Sequence, residues 1–531
     1  MNKLKLHLNP NELKLKNLLL SLSNWINKDI NGDKLVLRFA GGWVRDKLLK
    51  NESNDIDIAI NNLTGAQFMQ KFKTYIQNEN VQLSSIGKIQ SNPDKSKHLE
   101  TVTFKIFDLE IDVVNLRTEV YSENTRIPDK VEFGTALEDA LRRDLTINAL
   151  FYNLNSDEVE DFTELGLSDL KSRIIRTPLP SLQTFRDDPL RILRCIRFAA
   201  KLDFQLNTDI IEAIKDESLK TLLKDKISKE RIGIELNKMV KDKNRIKAFE
   251  LIKQLGLYYI LFQPKDIILK HQTMELNYYL AITKHLNLAI EIINQLKLNQ
   301  NNSQQNGLVN QISKIREEIT ELKFKENLNK MDLLLFSAFL LPFKKEELHK
   351  KVKNCRDLMQ YIIKEEIKLP SVVAEFITDI HGGIDKLESL IKLDSSQWDR
   401  YNIGLFMKYS KTNFQSIIVL SIAIKQSEVD YNIINQTQFD EYVLQLKQML
   451  NFIINEKLIT IYLQEPLLEG TQIQKALNLK PSKVIGLLKN EVEKLQLLNP
   501  IIKEQEAIDW LKQHYGEAEQ LKRLQIENHI K

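Results

Sequence analysis

Cysteine is almost absent. Cys195 and Cys355 are the only two in 531 residues, too few for a disulfide framework, and their scarcity fits a reducing compartment. Long apolar runs are also missing. The longest, Leu333–Phe343 and Ser416–Ile424, are too short to cross a bilayer and read as buried helix segments, so no membrane role is expected. Met1–Pro10 lacks the apolar stretch and small-residue cleavage site of a signal peptide. Acidic Glu12 and the scarcity of Arg and Ser argue against a mitochondrial presequence. There is no strong charge of either sign. Net charge is +4, so contact with nucleic acid must come from local basic patches rather than a global field. Proline and glycine thin out after residue 160, and no internal repeat stands out.

What is present is 43% hydrophobic residues, enough for several cores, and a length that predicts three or four domains. Residues 1–30 read as an amphipathic helix through Leu13, Leu15, Leu18, Leu19, Leu22 and Trp25. Strands are predicted at Leu35–Phe39, Asp55–Ile60, Thr101–Phe107 and Leu109–Asn115, the last two forming a hairpin split by Asp108. Beyond residue 160 nearly every segment has helical spacing, with boundaries near 150–160, 215–225 and 395–410 and a polar linker at Asn299–Gly307.

Asp55 and Asp57, in Asp-Ile-Asp-Ile-Ala-Ile, are the most informative pair. The alternation is that of a half-buried strand, on which i and i+2 share a face. Two carboxylates so close repel unless a cation sits between them, and Mg²⁺ is typically held by one or two carboxylates plus substrate phosphates. Upstream, Gly41-Gly42 lets backbone approach a phosphate at the mouth of a helix starting near Trp43 and carrying Arg45 and Asp46. Together these features point to nucleotide-dependent phosphoryl transfer.

Gly41-Gly42-Trp-Val-Arg45-Asp46 followed by Asp55-Ile-Asp57 resembles the signature of class II tRNA nucleotidyltransferases, the CCA-adding enzymes, within the polymerase-beta-like superfamily. Arg142-Arg143-Asp144 with Asn148 resembles the family's second signature. Asp187-Asp188-Pro189-Leu190-Arg191 resembles its Glu-Asp-x-x-Arg motif, with Asp standing for the usual Glu at 187, so Asp187 is given only a supporting role. Asp188 and Pro189 suit a helix start, and Arg191, Arg194 and Arg197 follow along one side. Ser228-Lys-Glu230-Arg231-Ile resembles a further family motif and reads as structural, with Ser228 as helix cap. The polar stretch Ser84–Leu99 resembles the loop that CCA-adding relatives need to switch from CTP to ATP. Pro466–Gly486 resembles the family's tRNA-gripping tail, with Ser482 where a Gly is usual.

The resemblance implies an α+β fold: a polymerase-beta-like head with a small mixed sheet at 1–155, then an all-helical neck at 156–220, body at 221–400 and tail at 401–531. It implies transfer of C, C and A to tRNA from CTP and ATP without a nucleic-acid template, with pyrophosphate released. Asp55 and Asp57 would hold two Mg²⁺ ions, and Asp112 would help deprotonate the attacking hydroxyl. Gly42, Arg45 and Arg143 would bind nucleotide, with Asp144 and Asn148 on its sugar or the local scaffold. Asp188 would accept from the exocyclic amine of C or A and Arg191 donate to the adjacent ring nitrogen, while Arg194 and Arg197 bind triphosphate or orient that pair. Lys480, Lys483 and Lys489 are candidate phosphate contacts in the tail. The expected molecule is a monomer in cytoplasm or nucleus, a mitochondrial pool being left open. The alternatives are a poly(A) polymerase, an enzyme adding only CC or only A, and an inactive tRNA-binding scaffold.

Overall fold

The computed structural model describes residues 4–28, 32–78, 85–86, 90–91, 100–120, 130–264, 276–295, 329–344 and 355–527. The chain divides into two compact units, residues 1–267 with 364–369, and residues 268–363 with 370–531. The Asn299–Gly307 linker and most of Ser84–Leu99 lie outside the described residues.

The first unit is built on a sheet of eight strands. In chain order these are β1 (Leu37–Ala40), β2 (Asp55–Ile60), β3 (Ser85–Ile86), β4 (Gln90–Ser91), β5 (Glu100–Ile106) and β6 (Leu109–Asn115), then, past the separate two-stranded ribbon β7 (Arg117–Val120) and β8 (Lys130–Phe133), β9 (Phe151–Asn153) and β10 (Glu158–Glu160). They lie side by side as β10-β9-β1-β2-β6-β5-β3, with β4 also on β5. β1 pairs antiparallel to β2, and β2 pairs parallel to β6. The alternation read from Asp55 onward is real: Ile56, Ile58 and Ile60 are fully buried, and their even register leaves the aspartates on the opposite face.

Small shifts from the predicted strands have local causes. The strand expected from Leu35 begins at Leu37, because the Leu35 and Val36 N–H groups donate to the side chains of Asn27 and Asn61 instead of a neighbouring strand. The strand expected to reach Phe107 ends at Ile106. Phe107 and Asp108 both have positive φ, 52° and 60°, the two-residue turn that matches strand twist in a hairpin.

Helix α1 (Pro10–Asn27) is narrower than the predicted 1–30 and starts at a capping box between Asn9 and Glu12. Leu15, Leu19 and Leu22 face the core, while Leu13 turns outward. Glu12 is buried, accepts from the Trp43 indole at 3.1 Å and pairs with Lys47 at 2.9 Å, so α1 clasps α2 (Gly42–Leu48). Next come α3 (Gly65–Asn78), α4 (Ala136–Leu141), α5 (Gly166–Ser172), α6 (Ser181–Asp187), α7 (Leu190–Leu202), α8 (Thr208–Ile214), α9 (Glu217–Lys226) and α10 (Lys229–Lys241). Ser228 occupies the cap position of α10, yet its hydroxyl makes no capping hydrogen bond, so the expected cap is one of backbone shape only.

In the second unit both apolar runs are buried helices, Lys330–Leu340 and Phe414–Asp430. Further along, helices Gly470–Leu477, Lys483–Leu498, Glu504–Tyr515 and Ala518–Glu527 close over a core of Leu468, Ile473, Leu488, Val492 and Leu511. No helix among the described residues is long and apolar enough to cross a membrane.

Residues 364–369 belong to the first unit because Ile367 packs on α10. A Cβ added at Gly233 would lie 1.8 Å from the Ile367 carbonyl oxygen. Gly→Ala inside a helix ordinarily stabilises by about 0.5–1 kcal/mol. Here backbone meets backbone, and Gly233→Ala is expected to destabilise by about 1–3 kcal/mol. Denaturant unfolding measures the sign; a gain in stability would show that the 364–369 segment does not pack on α10 this way.

Candidate active site

Parallel pairing of β2 with β6 sets Asp55 opposite Glu110 and Asp57 opposite Asp112. Partners in register across two strands share a face, so four acids gather there. Burial pushes the Asp55 carboxyl above its ordinary range, and the charges of Asp112 and Glu110 push it further. Asp112 is held by the Thr103 hydroxyl at 2.6 Å, and Glu110 is paired with Lys105. Among the described residues no three His, Cys, Asp or Glu side chains close into a metal cage. The donor set still fits Mg²⁺, a hard cation that takes one or two carboxylates and leaves its other positions to water and phosphate.

The turn between β1 and α2 lies against these acids. Gly41 has φ +71°, and a Cβ there would stand 2.8 Å from Arg143 Nη1 and 3.7 Å from Asp57 Oδ2. Of the two glycines, Gly41 is the position that only glycine fits; a Cβ at Gly42 would make ordinary contact with Arg45 at 3.6 Å. Arg143 is aimed by its partners: Nε and Nη2 donate to Asp139 at 3.0 and 2.9 Å, and Nη1 donates to the Asn148 carbonyl at 3.0 Å. Asp139, only 1% exposed, also takes Arg142. Burial alone would raise its carboxyl, but the Arg143 and Arg142 charges hold it below the usual range.

Asp144 and Asn148 form the centre of a buried polar chain. Arg45, gripped by Asp46 through two 2.8 Å bonds, donates to the Asn148 side chain. The Asn148 amide donates to Asp144 at 3.1 Å, and Arg194 donates to the other Asp144 oxygen at 2.7 Å. Arg194 also lies 3.7 Å from Glu235 of α10, which pairs with Arg197 at 2.5 Å. The guanidinium groups of Arg197, Arg45 and Arg194 approach the Phe198 ring, at 4.1, 4.9 and 5.6 Å from its centroid. Burial would raise the Asp144 carboxyl, yet Arg194 and the Asn148 hydrogen bond bring it down to about 2.

At the α6–α7 junction, Asp188 Oδ1 accepts from the Leu190 N–H at 3.2 Å as a capping side chain does, while the helix starts one residue later than expected, at Leu190, with Pro189 in the cap position. The arginine stripe is not a solvated face. Arg197 is buried, and both Arg194 and Arg197 are committed to carboxylates, so of their two expected roles the geometry fits orientation. Arg191 Nη2 donates to the Arg142 carbonyl at 2.7 Å. Asp187 accepts from Gln183 at 2.9 Å. Arg231, read from the sequence as purely structural, reaches Asp188 with both terminal nitrogens, at 2.8 and 3.4 Å. Asp139 and Glu235 were likewise passed over. The spacing of Asp139 to Arg142 and Arg143, i+3 and i+4 on a helix, was the one signal available.

In the tail, Lys480 and Lys483 are exposed on either side of Pro481-Ser482, while Lys489 pairs with Glu469 at 3.1 Å. Ser482 has φ −160°, extended backbone that needs no glycine.

A model described as the Poly A polymerase head domain matches residues 37–176. Another, described as a probable RNA and SrmB-binding site of polymerase A, matches residues 203–266. The mitochondrial CCA tRNA nucleotidyltransferase of Saccharomyces cerevisiae is 34% identical over 96% of this chain and 94% of its own length. The tRNA nucleotidyltransferase cca2 of Schizosaccharomyces pombe is 32% identical over 89% and 92% respectively. A solved CCA-adding enzyme in complex with CTP aligns with TM-score 0.57 and 20% identity over 95% of each chain. The Thermotoga maritima CCA-adding enzyme complexed with tRNA aligns with TM-score 0.54 and 18% identity over 98% of this chain and 96% of its own. At those identities the likeness is one of fold.

Two measurements test this geometry. A carboxyl depressed in the fold stabilises above its unfolded pKa, and that stability is lost as pH falls through the folded value. The advantage of wild type over Asp144→Asn in denaturant unfolding is therefore expected to shrink by about 2 kcal/mol between about pH 5 and pH 2. A constant gap would place the charge elsewhere. Gly41→Ala strains φ and displaces Arg143, a misplacement expected to cost turnover on the order of 10²-fold; activity within about twofold of wild type would dismiss the Gly41–Arg143 contact as a positioning device.

Proposed function

Because the chain belongs to the CCA tRNA nucleotidyltransferase family, we propose a division of labour in which it adds C, C and A to tRNA 3′ ends from CTP and ATP, each step releasing pyrophosphate. The in-register acids of β2 and β6 carry this reading. The tRNA 3′-hydroxyl attacks the α-phosphate: the new O–P bond forms as the bond to pyrophosphate breaks, and the hydroxyl proton leaves. Asp55 and Asp57 would hold two Mg²⁺ ions, which when bound supply charge neutralisation at the attacking and leaving oxygens. Asp112, held by Thr103, would draw the hydroxyl proton. Gly41 and Gly42 admit the phosphates, and Arg143, aimed by Asp139, donates to them. Arg45, Asp144 and Asn148 hold that surface in place from behind.

Base choice rests on Asp188 and Arg191. A carboxylate accepts from cytosine N4 or adenine N6, and a guanidinium donates to cytosine N3 or adenine N1. Uracil and guanine present a carbonyl and an N–H at those places, so both contacts fail, at about 1–3 kcal/mol for each group left unpaired. We assign residues 1–155 to chemistry, 156–220 to nucleotide selection, 221–400 to the body, and 401–531 to tRNA binding through Lys480, Lys483 and Lys489. We further propose a monomer working in the cytoplasm, the nucleus or both. The relatives named mitochondrial in Saccharomyces cerevisiae and Candida glabrata support a mitochondrial pool as well.

The test incubates the full chain with Mg²⁺ and tRNA transcripts ending before the tail, or in C, CC or CCA, with each of the four nucleoside triphosphates. Extension to CCA and no further is expected, with Asp55→Ala/Asp57→Ala lowering the rate by at least about 10³-fold. A long A tail would make the chain a poly(A) polymerase. A product stopping at CC, or growth only from CC, would mark a split activity, and no product at all would mark a binding scaffold.

A further inference from the structure

Asp188 and Arg191 stand three residues apart at the start of a helix, and the Arg191 N–H donates to the Asp188 carbonyl at 3.0 Å. Opposite charges this near each other are able to pair. Such a pair would satisfy both groups with each other and leave nothing to read a base. Among the described residues no ion pair joins them. Each is drawn aside by a third group: Asp188 by the Arg231 guanidinium of α10, and Arg191 by the Arg142 carbonyl. The bonding at Asp188 is asymmetric. Oδ1 takes the Leu190 N–H at 3.2 Å and one Arg231 nitrogen at 3.4 Å, whereas Oδ2 takes only the other Arg231 nitrogen, at 2.8 Å. An ionised carboxylate oxygen accepts two hydrogen bonds, so Oδ2 keeps a site for an incoming amine.

We infer that Arg231 is a specificity-determining positioning residue: it holds the Asp188 carboxylate apart from Arg191 so that both remain available to the base. The inference rests on the reading of Asp188 and Arg191 as base readers. It gives the Ser-Lys-Glu-Arg-Ile segment a role in selection and extends the selecting apparatus beyond residue 220, into α10. Arg231 is itself supported from its own helix, since Glu235, one turn on, is fastened to Arg197 of α7. α7 and α10 are thereby joined at two levels, and the rotation of α10 sets where Arg231 points. A lysine at 231 keeps the charge but loses the planar fork that engages both oxygens.

The experiment measures kcat and KM for CTP, ATP, UTP and GTP on tRNA lacking its tail and on tRNA ending in CC. It uses the full wild-type chain, Arg231→Ala, Arg231→Lys, Asp188→Asn and the double variant Asp188→Asn/Arg231→Ala, with thermal unfolding alongside. Arg231→Ala is expected to raise the KM for CTP and ATP and to cut the preference for CTP over UTP by about tenfold to a hundredfold. Arg231→Lys should recover part of that preference. In the Asp188→Asn background, removing Arg231 should change discrimination by less than about twofold, because the group it acts through is already gone. The inference is overturned if Arg231→Ala discriminates as wild type does. It is also overturned if that variant loses all four nucleotides in equal proportion, with a lowered Tm and no rescue by lysine. A wild-type chain that fails to prefer CTP and ATP would bring down the base-reader assignment and this inference with it; a discriminating wild type with a discriminating Arg231→Ala would bring down the inference alone.

Discussion

Asp144 reaches three elements at once: the turn after α4 that carries it, the α2 side of the sheet through Asn148 and Arg45, and α7 through Arg194. A buried carboxylate without partners would be costly, and so would each of these guanidinium groups. Their mutual satisfaction leaves few alternative arrangements of similar energy. Both the β1–α2 turn and helix α7 are therefore referred to the same carboxylate. Arg197 extends the frame to α10 by pairing with Glu235, and packs by cation–π contact on the Phe198 ring of its own helix. The acids of β2 and β6 lie outside this frame, on strands paired in register, with Asp112 also held by Thr103 and Glu110 by Lys105.

The two halves of the site accordingly obey different physics. On β2 and β6 like charges are brought together, and the frustration, visible in the raised carboxyl of Asp55, suits a place where a cation is expected. Behind Gly41 and along α7 opposite charges are matched almost one for one. Local arginine density there does not translate into a general affinity for phosphate, because Arg45, Arg194 and Arg197 already have carboxylate partners.

Much of this was legible in the sequence where a local rule governed. β2 and β6 were read to the residue because strict alternation and a half-buried face leave one register. The cap at Asp188 and Pro189 follows from backbone preferences of two adjacent residues. β1 starts later than its sequence suggests because Asn27 and Asn61, side chains outside the strand, take the Leu35 and Val36 N–H groups. The pairing of arginines was illegible for the same reason: helical spacing says which side chains share a face, but Glu235 and Arg231 reach α7 and Asp188 across about 40 residues of chain. That Gly41 is the constrained one of the two glycines follows from a positive φ and an arginine tip, neither of which composition reveals.

The packing of residues 364–369 on α10 has a bearing on biosynthesis. Lys229 pairs with Glu366 at 2.7 Å, and Ile367 is fully buried. These six residues complete the first unit but are encoded after most of a hundred residues of the second. At about 5–20 residues per second, a ribosome needs about 5–20 s to produce that intervening stretch. During that interval the sheet and its acids can assemble while the face of α10 still awaits its cover. The sheet is thus able to form before α10 is covered, and a nascent chain stalled in between would carry the acids of β2 and β6 on a first unit in which the Gly233 face of α10 is still open.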